Sequence, residues 1–175
     1  MLAPEVPMSH SVAGEPSSAG RRAAPLTTAV YSAAEWDLLT TLPGRVIVAA
    51  AAPGPGRPRQ GVAAGVAGLD AVAAGRAFDS DLVRAVVAAI YARHDGATDV
   101  VERLADVVDL LAACRAATRV LGRRADPADS AAYRQWLQSI AARVRAAAAT
   151  GPRAVPPPPA DRRFLDRLGG ALGLR

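Results

Sequence analysis

The stretch Asp99–Leu121, DVVERLADVVDLLAACRAATRVL, is the most informative for the fold of this chain. Every third or fourth residue belongs to one helix face, an apolar seam over about three heptads. Asp99 and Glu102 form a capping pair at its start, and Gly122 is expected to end it. The pattern predicts a helix at the centre of a bundle. The seam consists of Val100, Leu104, Val107, Leu111, Cys114, Thr118 and Leu121.

A charge on this seam would be buried without a partner. The sequence therefore predicts that Leu111→Asp prevents folding, because an unpaired buried charge costs more than a domain of this size can offset.

The composition supports helices and excludes several kinds of chemistry. Of the 175 residues 42 are alanine, the best intrinsic helix former. All 21 basic residues are arginine, so lysine Schiff bases and the lysine of a phosphate-binding loop are excluded. The single cysteine excludes an intrachain disulfide, and no Cys/His cluster suggests a structural zinc site. Aromatic residues are only 4% of the chain, which argues against a stacking platform for single-stranded nucleic acid.

Further helices are predicted on both sides of the seam. Ser32 and Glu35 have the spacing of a capping box, and Pro43-Gly44 is expected to break or kink the helix that follows. Residues 45–52 are interpreted as helix because no second strand is present to pair with them. A helix is predicted over residues 61–77, with apolar positions Val62, Val66, Leu69 and Val72 or Ala73. Later helices are predicted over 79–93, capped by Asp79 or Ser80, over 127–150, with Asp126 as the N-cap, and over 161–168.

The expected fold class is therefore all-α, a single bundle of five or six helices with a disordered N-terminal arm. The expected organisation is an arm over residues 1–30, a bundle over 31–151, a proline-rich linker over 152–160 and a short amphipathic C-terminal helix over 161–175. No apolar run reaches the roughly 18 residues of a transmembrane helix, and we expect a cytoplasmic bacterial protein.

Four acidic residues form the first candidate site. Asp99, Glu102, Asp106 and Asp109 are spaced to share one helix face, and oxygen ligands of this kind bind Mg²⁺ or Ca²⁺. The alternative is a solvated face, since carboxylates also suit the N-terminus of a helix.

The C-terminal helix is the second candidate site. Phe164, Leu165 and Leu168 form its apolar face, and Arg162 and Arg163 lie beside them. The segment either packs on its own bundle or offers this face to the groove of a partner or to an anionic membrane surface.

Three stretches of sequence resemble a known group of proteins. Trp36, the segment Tyr133–Ala142 (YRQWLQSIAA) and the ending Ala171-Leu-Gly-Leu resemble small bacterial all-helical proteins similar to the tellurite-resistance TerB-like fold. The resemblance covers residues 32–175 and implies a helical, stress-related protein that binds divalent metal in turns between helices. The corresponding early turn here, Ala52-Pro-Gly-Pro-Gly, lacks acidic residues, so no metal ligand is assigned from the resemblance.

Three functions remain open at this point. The first is a non-enzymatic interaction or scaffold protein, with a protein partner or self-association. The second is a TerB-like protein that binds divalent metal or a membrane surface. The third is a protein that binds nucleic acid without sequence specificity, because the net charge is +5. No catalytic residue and no cofactor is assigned, because nucleophile, base and zinc motifs are missing.

Overall fold

A computed structural model describes residues 30–52, 61–94, 106–148 and 159–174. These residues form six α-helices and no strand, which confirms the all-α prediction. The expected N-terminal arm lies outside them, apart from Val30. The helices are α1 (Ala33–Ala51), α2 (Gly61–Ala73), α3 (Asp81–His94), α4 (Val107–Arg124), α5 (Pro127–Ala148) and α6 (Pro159–Ala171), and a 3₁₀ turn (Ala74–Ala77) follows α2.

Helix α5 occupies the centre of the bundle, where the sequence predicted α4. It packs against all five other helices. Its inward side chains are apolar or aromatic and fully buried, and they include the two largest fully buried side chains of the described residues, Trp136 and Tyr133. The inward side chains are Tyr133, Trp136, Leu137, Ile140 and Val144.

Helix α4 differs from its prediction in its start, its end and its rotation. It begins at Val107 with Asp106 as the N-cap, and the predicted start at Asp99 lies outside the described residues. Gly122 does not end the helix, which continues to Arg124. Cys114 and Leu121 of the predicted seam are fully buried, but the buried face is rotated from the prediction, so that Leu110 is fully buried and Leu111 only partly. The loss of folding predicted for Leu111→Asp is therefore expected for Leu110→Asp instead, because Leu110 is the fully buried residue.

Helix α1 continues through Pro43, where the sequence predicted a break or kink. Proline has no amide hydrogen, so the carbonyl of Leu39 loses its usual donor four residues later. The hydroxyl of Tyr133, on α5, donates a hydrogen bond of 2.7 Å to this carbonyl, and the contact is buried. A side chain from another helix thus replaces the missing backbone bond, and the helix can continue.

Helix α2 packs through its smallest residues. The buried residues of α2 are Ala64, Gly68, Ala71 and Val72, and Gly75 in the 3₁₀ turn continues the small-residue face. A Cβ atom on Gly75 would lie 2.8 Å from both Trp136 Nε1 and Val87 Cγ2, which is too close for a real contact. Gly75 and Ala71 bring the backbone close to α5, where Trp136 Nε1 donates a 3.2 Å hydrogen bond to the carbonyl of Ala71. Gly68 instead lies against Ile47 of α1.

Side-chain caps begin several helices as the sequence predicted. The capping box of α1 is present, with Ser32 and Glu35 each accepting the other's backbone amide hydrogen. Ser80 accepts from the amide of Val83 at the start of α3, and its hydroxyl donates to Asp129 of α5 at 2.6 Å. These bonds fix the helix starts and link α3 to the central helix.

Candidate functional site

Two of the four acidic candidate residues, Asp106 and Asp109, are described by the structure, and both lie at the N-terminus of α4. Asp106 accepts a hydrogen bond of 3.1 Å from the amide of Val108, and Asp109 lies exposed in the first helical turn. Both positions favour negative charge without any ligand. Asp99 and Glu102 lie outside the described residues. Within residues 30–52, 61–94, 106–148 and 159–174, no group of three or more His, Cys, Asp or Glu side chains could hold a metal ion.

The C-terminal helix packs on its own bundle. Phe164 and Leu168 are buried in the core together with Leu172, and Leu165 is partly buried. Of the two alternatives for this segment, the structure shows packing on its own bundle, where α4 and α5 cover the apolar face. Arg162 and Arg163 are exposed, as expected.

Arg145 is the residue that connects α6 to the end of α1. Its guanidinium donates to Asp161 Oδ1 at 3.2 Å, to the carbonyl of Ala49 at 3.4 Å and to the carbonyl of Ala52 at 3.5 Å. The same group lies 4.6 Å above the ring of Phe164. A cation at the C-terminus of α1 complements the helix dipole, and the planar guanidinium bonds several oxygens at once. This network explains why α6 packs against the bundle of its own chain.

The cysteine is unsuited to nucleophilic chemistry. Cys114 is fully buried on α4, and burial raises the pKa of its thiol to about 11. A thiol rather than a thiolate is therefore present at neutral pH, and substrates have no access to it.

The outer face of α2 is the most unusual surface among the described residues. Val62, Val66 and Leu69 are 84%, 54% and 61% exposed, although their spacing in the sequence predicted a core face. The small residues of α2 and Val72 face inward, whereas Val62, Val66 and Leu69 on the opposite face point to solvent. We call this surface, Val62, Val66 and Leu69 with Ala73 beyond them, the α2 stripe.

The α2 stripe lacks the charges of the other outer surfaces. Helix α2 contains one charged residue, Asp70, at the side of the stripe, and no arginine. By contrast, the outer face of α4 carries exposed Arg115, Arg119 and Arg123 at intervals of four residues. A helix that lies on an anionic membrane normally has cations beside its apolar face, and α2 has none.

Sequence reasoning missed the α2 stripe because it assigned inward positions by hydrophobicity alone. One signal could have found it: Ala64, Gly68, Ala71 and Gly75 form a second periodic face, and small residues permit close helix contacts. When a face of small residues is inside, the aliphatic face must be outside.

Comparison with known proteins gives no relative: no family model, no curated protein and no solved structure matches this chain. None of the helices in the described part of the chain combines the length and apolar character needed to cross a bilayer.

Proposed function

We propose that this protein is a non-enzymatic helical interaction protein that binds a protein partner through the α2 stripe. The observation that supports this most is the exposure of Val62, Val66 and Leu69 on one face of a helix whose single charge, Asp70, lies at the side of that face. Single exposed apolar residues are ordinary on protein surfaces, whereas adjacent ones on one face are typical of an interaction site.

The scaffold behind the stripe also supports this function. Gly68 and Gly75 hold α2 against the core at distances that leave no space for a Cβ atom, so the outer face is presented by a helix fixed on its inner side. A fixed helix loses little conformational freedom when a partner binds, which favours affinity.

Site-specific cross-linking tests this proposal. A photoreactive amino acid is placed at position 66 in cells that express the protein, and at position 108 as the control, because Val108 is a 68% exposed valine on α4. The proposal expects one protein, identified by mass spectrometry, to be attached at position 66 and not at position 108. That protein, when purified, should bind the parent chain and bind Val66→Asp at least tenfold more weakly. Equal labelling at both positions, or none at position 66, would refute the proposal.

Binding of nucleic acid without sequence specificity is a second candidate, favoured by the arginines of α4. Arg115 and Arg119 are exposed one turn apart, and no ion pair among the described residues includes them. Arginine contacts phosphate readily, and such binding weakens steeply with salt. A gel shift at increasing salt should show weaker binding for Arg115→Glu/Arg119→Glu than for Arg143→Glu/Arg167→Glu. Equal binding by the two double variants would exclude the α4 surface.

A further inference from the structure

The α2 stripe has the spacing of a helix-pairing surface. Val62, Val66, Leu69 and Ala73 follow one another at steps of four, three and four, the alternation by which two helices pack side chains into each other's gaps. We propose that the partner of this stripe is the α2 stripe of a second copy of the chain, packed antiparallel about a two-fold axis. This inference rests on the proposed function and specifies its partner.

The charge distribution favours a second copy over another partner class. A two-fold contact places the same patch of both subunits together, so a patch that carries net charge repels itself. The exposed arginines of α4 and α6 make those outer faces unsuitable for such a contact. The α2 stripe contains no charge, and apolar side chains are complementary to themselves.

The single charge of α2 fits an antiparallel arrangement. If the axis passes between residues 65 and 66, Val62 faces Leu69 of the second copy, and Val66 packs beside Gly65 of the second copy. No side-chain or backbone atom of the bundle lies within 4 Å of a Cβ position on Gly65, so its face is open to a neighbour. The two Asp70 residues then lie at opposite ends, about 13 Å apart along the helix at 1.5 Å per residue. That separation exceeds the Debye length of about 8 Å at physiological salt, so their repulsion is small.

The contact area predicts a weak dimer. One face of a 13-residue helix is smaller than the roughly 800 Å² per partner that a standard stable interface buries. We therefore expect a monomer at low concentration and a dimer at concentrations on the order of 0.1–1 mM.

Sedimentation equilibrium of the full chain at micromolar to millimolar concentration tests the association. The parent and Val108→Asp should dimerise equally, and Val66→Asp should dimerise at least about tenfold more weakly, because it places two carboxylates at the apolar axis. A parent that stays monomeric at 1 mM, or a Val66→Asp variant that dimerises like the parent, would overturn the inference.

Cysteine cross-linking tests the direction of the two helices. Cys114 is the only native cysteine and is buried, so any disulfide between two chains is formed by the introduced cysteines. Under mild oxidation Val66→Cys should form a disulfide dimer quickly, whereas Val62→Cys and Leu69→Cys should each do so slowly alone and quickly when mixed. Val108→Cys, at an exposed position outside the stripe, gives the rate of disulfide formation by random collision. If Val62→Cys and Leu69→Cys alone cross-link as fast as Val66→Cys, the antiparallel arrangement is wrong.

The two proposals fail in different ways. A monomeric parent whose position 66 still cross-links to another protein in cells would refute the second copy and leave the interaction function intact. A position 66 that captures no protein in cells, together with a parent that stays monomeric at 1 mM, refutes both.

Discussion

The hydroxyl of Tyr133 should contribute to stability because Pro43 leaves a carbonyl of the neighbouring helix without its donor. In Tyr133→Phe the ring remains, but the 2.7 Å bond to the carbonyl of Leu39 is lost. This carbonyl is buried, and a buried acceptor without a partner costs about 1–3 kcal/mol. We expect the free energy of unfolding to fall by about 2 kcal/mol, which lowers the urea midpoint by about 1 M at a slope of about 2 kcal/mol/M.

A double-mutant cycle with Pro43→Ala isolates this explanation. Alanine at position 43 has an amide hydrogen that can donate to the carbonyl of Leu39 within the helix, so the carbonyl keeps a partner when the tyrosine hydroxyl is removed. In the Pro43→Ala background, Tyr133→Phe should therefore cost about 1 kcal/mol less than in the parent. The cycle does not depend on whether Pro43→Ala is itself stabilising.

Urea unfolding followed by circular dichroism at 222 nm measures all four chains of the cycle. Tyr91→Phe is the matched control, because this tyrosine lies exposed on α3, and its change should stay within about 0.5 kcal/mol. If Tyr133→Phe costs the same with proline and with alanine at position 43, the replacement of the missing backbone bond by the hydroxyl is refuted.

Three further predictions concern glycines, leucines and alkaline pH. Gly75→Ala should lower the free energy of unfolding by about 1–3 kcal/mol because its methyl group has no space, whereas Gly122→Ala, in an open helical position, should raise it by about 0.5–1 kcal/mol; chemical denaturation of both variants checks the opposite signs. Leu110→Ala should cost about 2–5 kcal/mol and Leu111→Ala clearly less, because only Leu110 is fully buried; equal losses would show that the assigned rotation of α4 is wrong. The folded-state pKa of Cys114 is raised from 9.0 to about 11, so the native protein keeps a proton that the unfolded chain releases, and stability should fall as the pH rises from 9 to 11; the decline should be shallower in Cys114→Ala when unfolding is measured across this range.

The helices could be predicted to a large extent from local sequence. The capping box at Ser32 and the N-cap at Asp126 depend on residues within one turn, and both are present in the structure. The assignment of residues 45–52 to helix is also confirmed, since α1 extends to Ala51. These features are local because a helix satisfies its backbone hydrogen bonds within one segment.

The candidate sites were less predictable because exposure depends on which helices meet. The hydrophobic pattern of α2 suggested that Val62, Val66 and Leu69 face inward, and the pattern of α6 left two possibilities for Phe164 and Leu168. The structure exposes the first group and buries the second. Hydrophobicity indicates which residues favour burial, but the shape of the neighbouring surface determines which of these residues are buried in the fold.

The sequence by itself determined that this protein is helical and where several helices begin, because alanine content, spacing and caps act over a few residues. Only the tertiary structure decided that α5 is central, that α1 continues through Pro43 and that the aliphatic face of α2 meets solvent. Each of these outcomes depends on contacts between distant parts of the chain: α5 packs against the five other helices, Tyr133 reaches Leu39, and the small face of α2 fits against Trp136. Such fits are properties of the packed shape: a local pattern such as the small residues of α2 can indicate a candidate face, but it does not decide which face is buried.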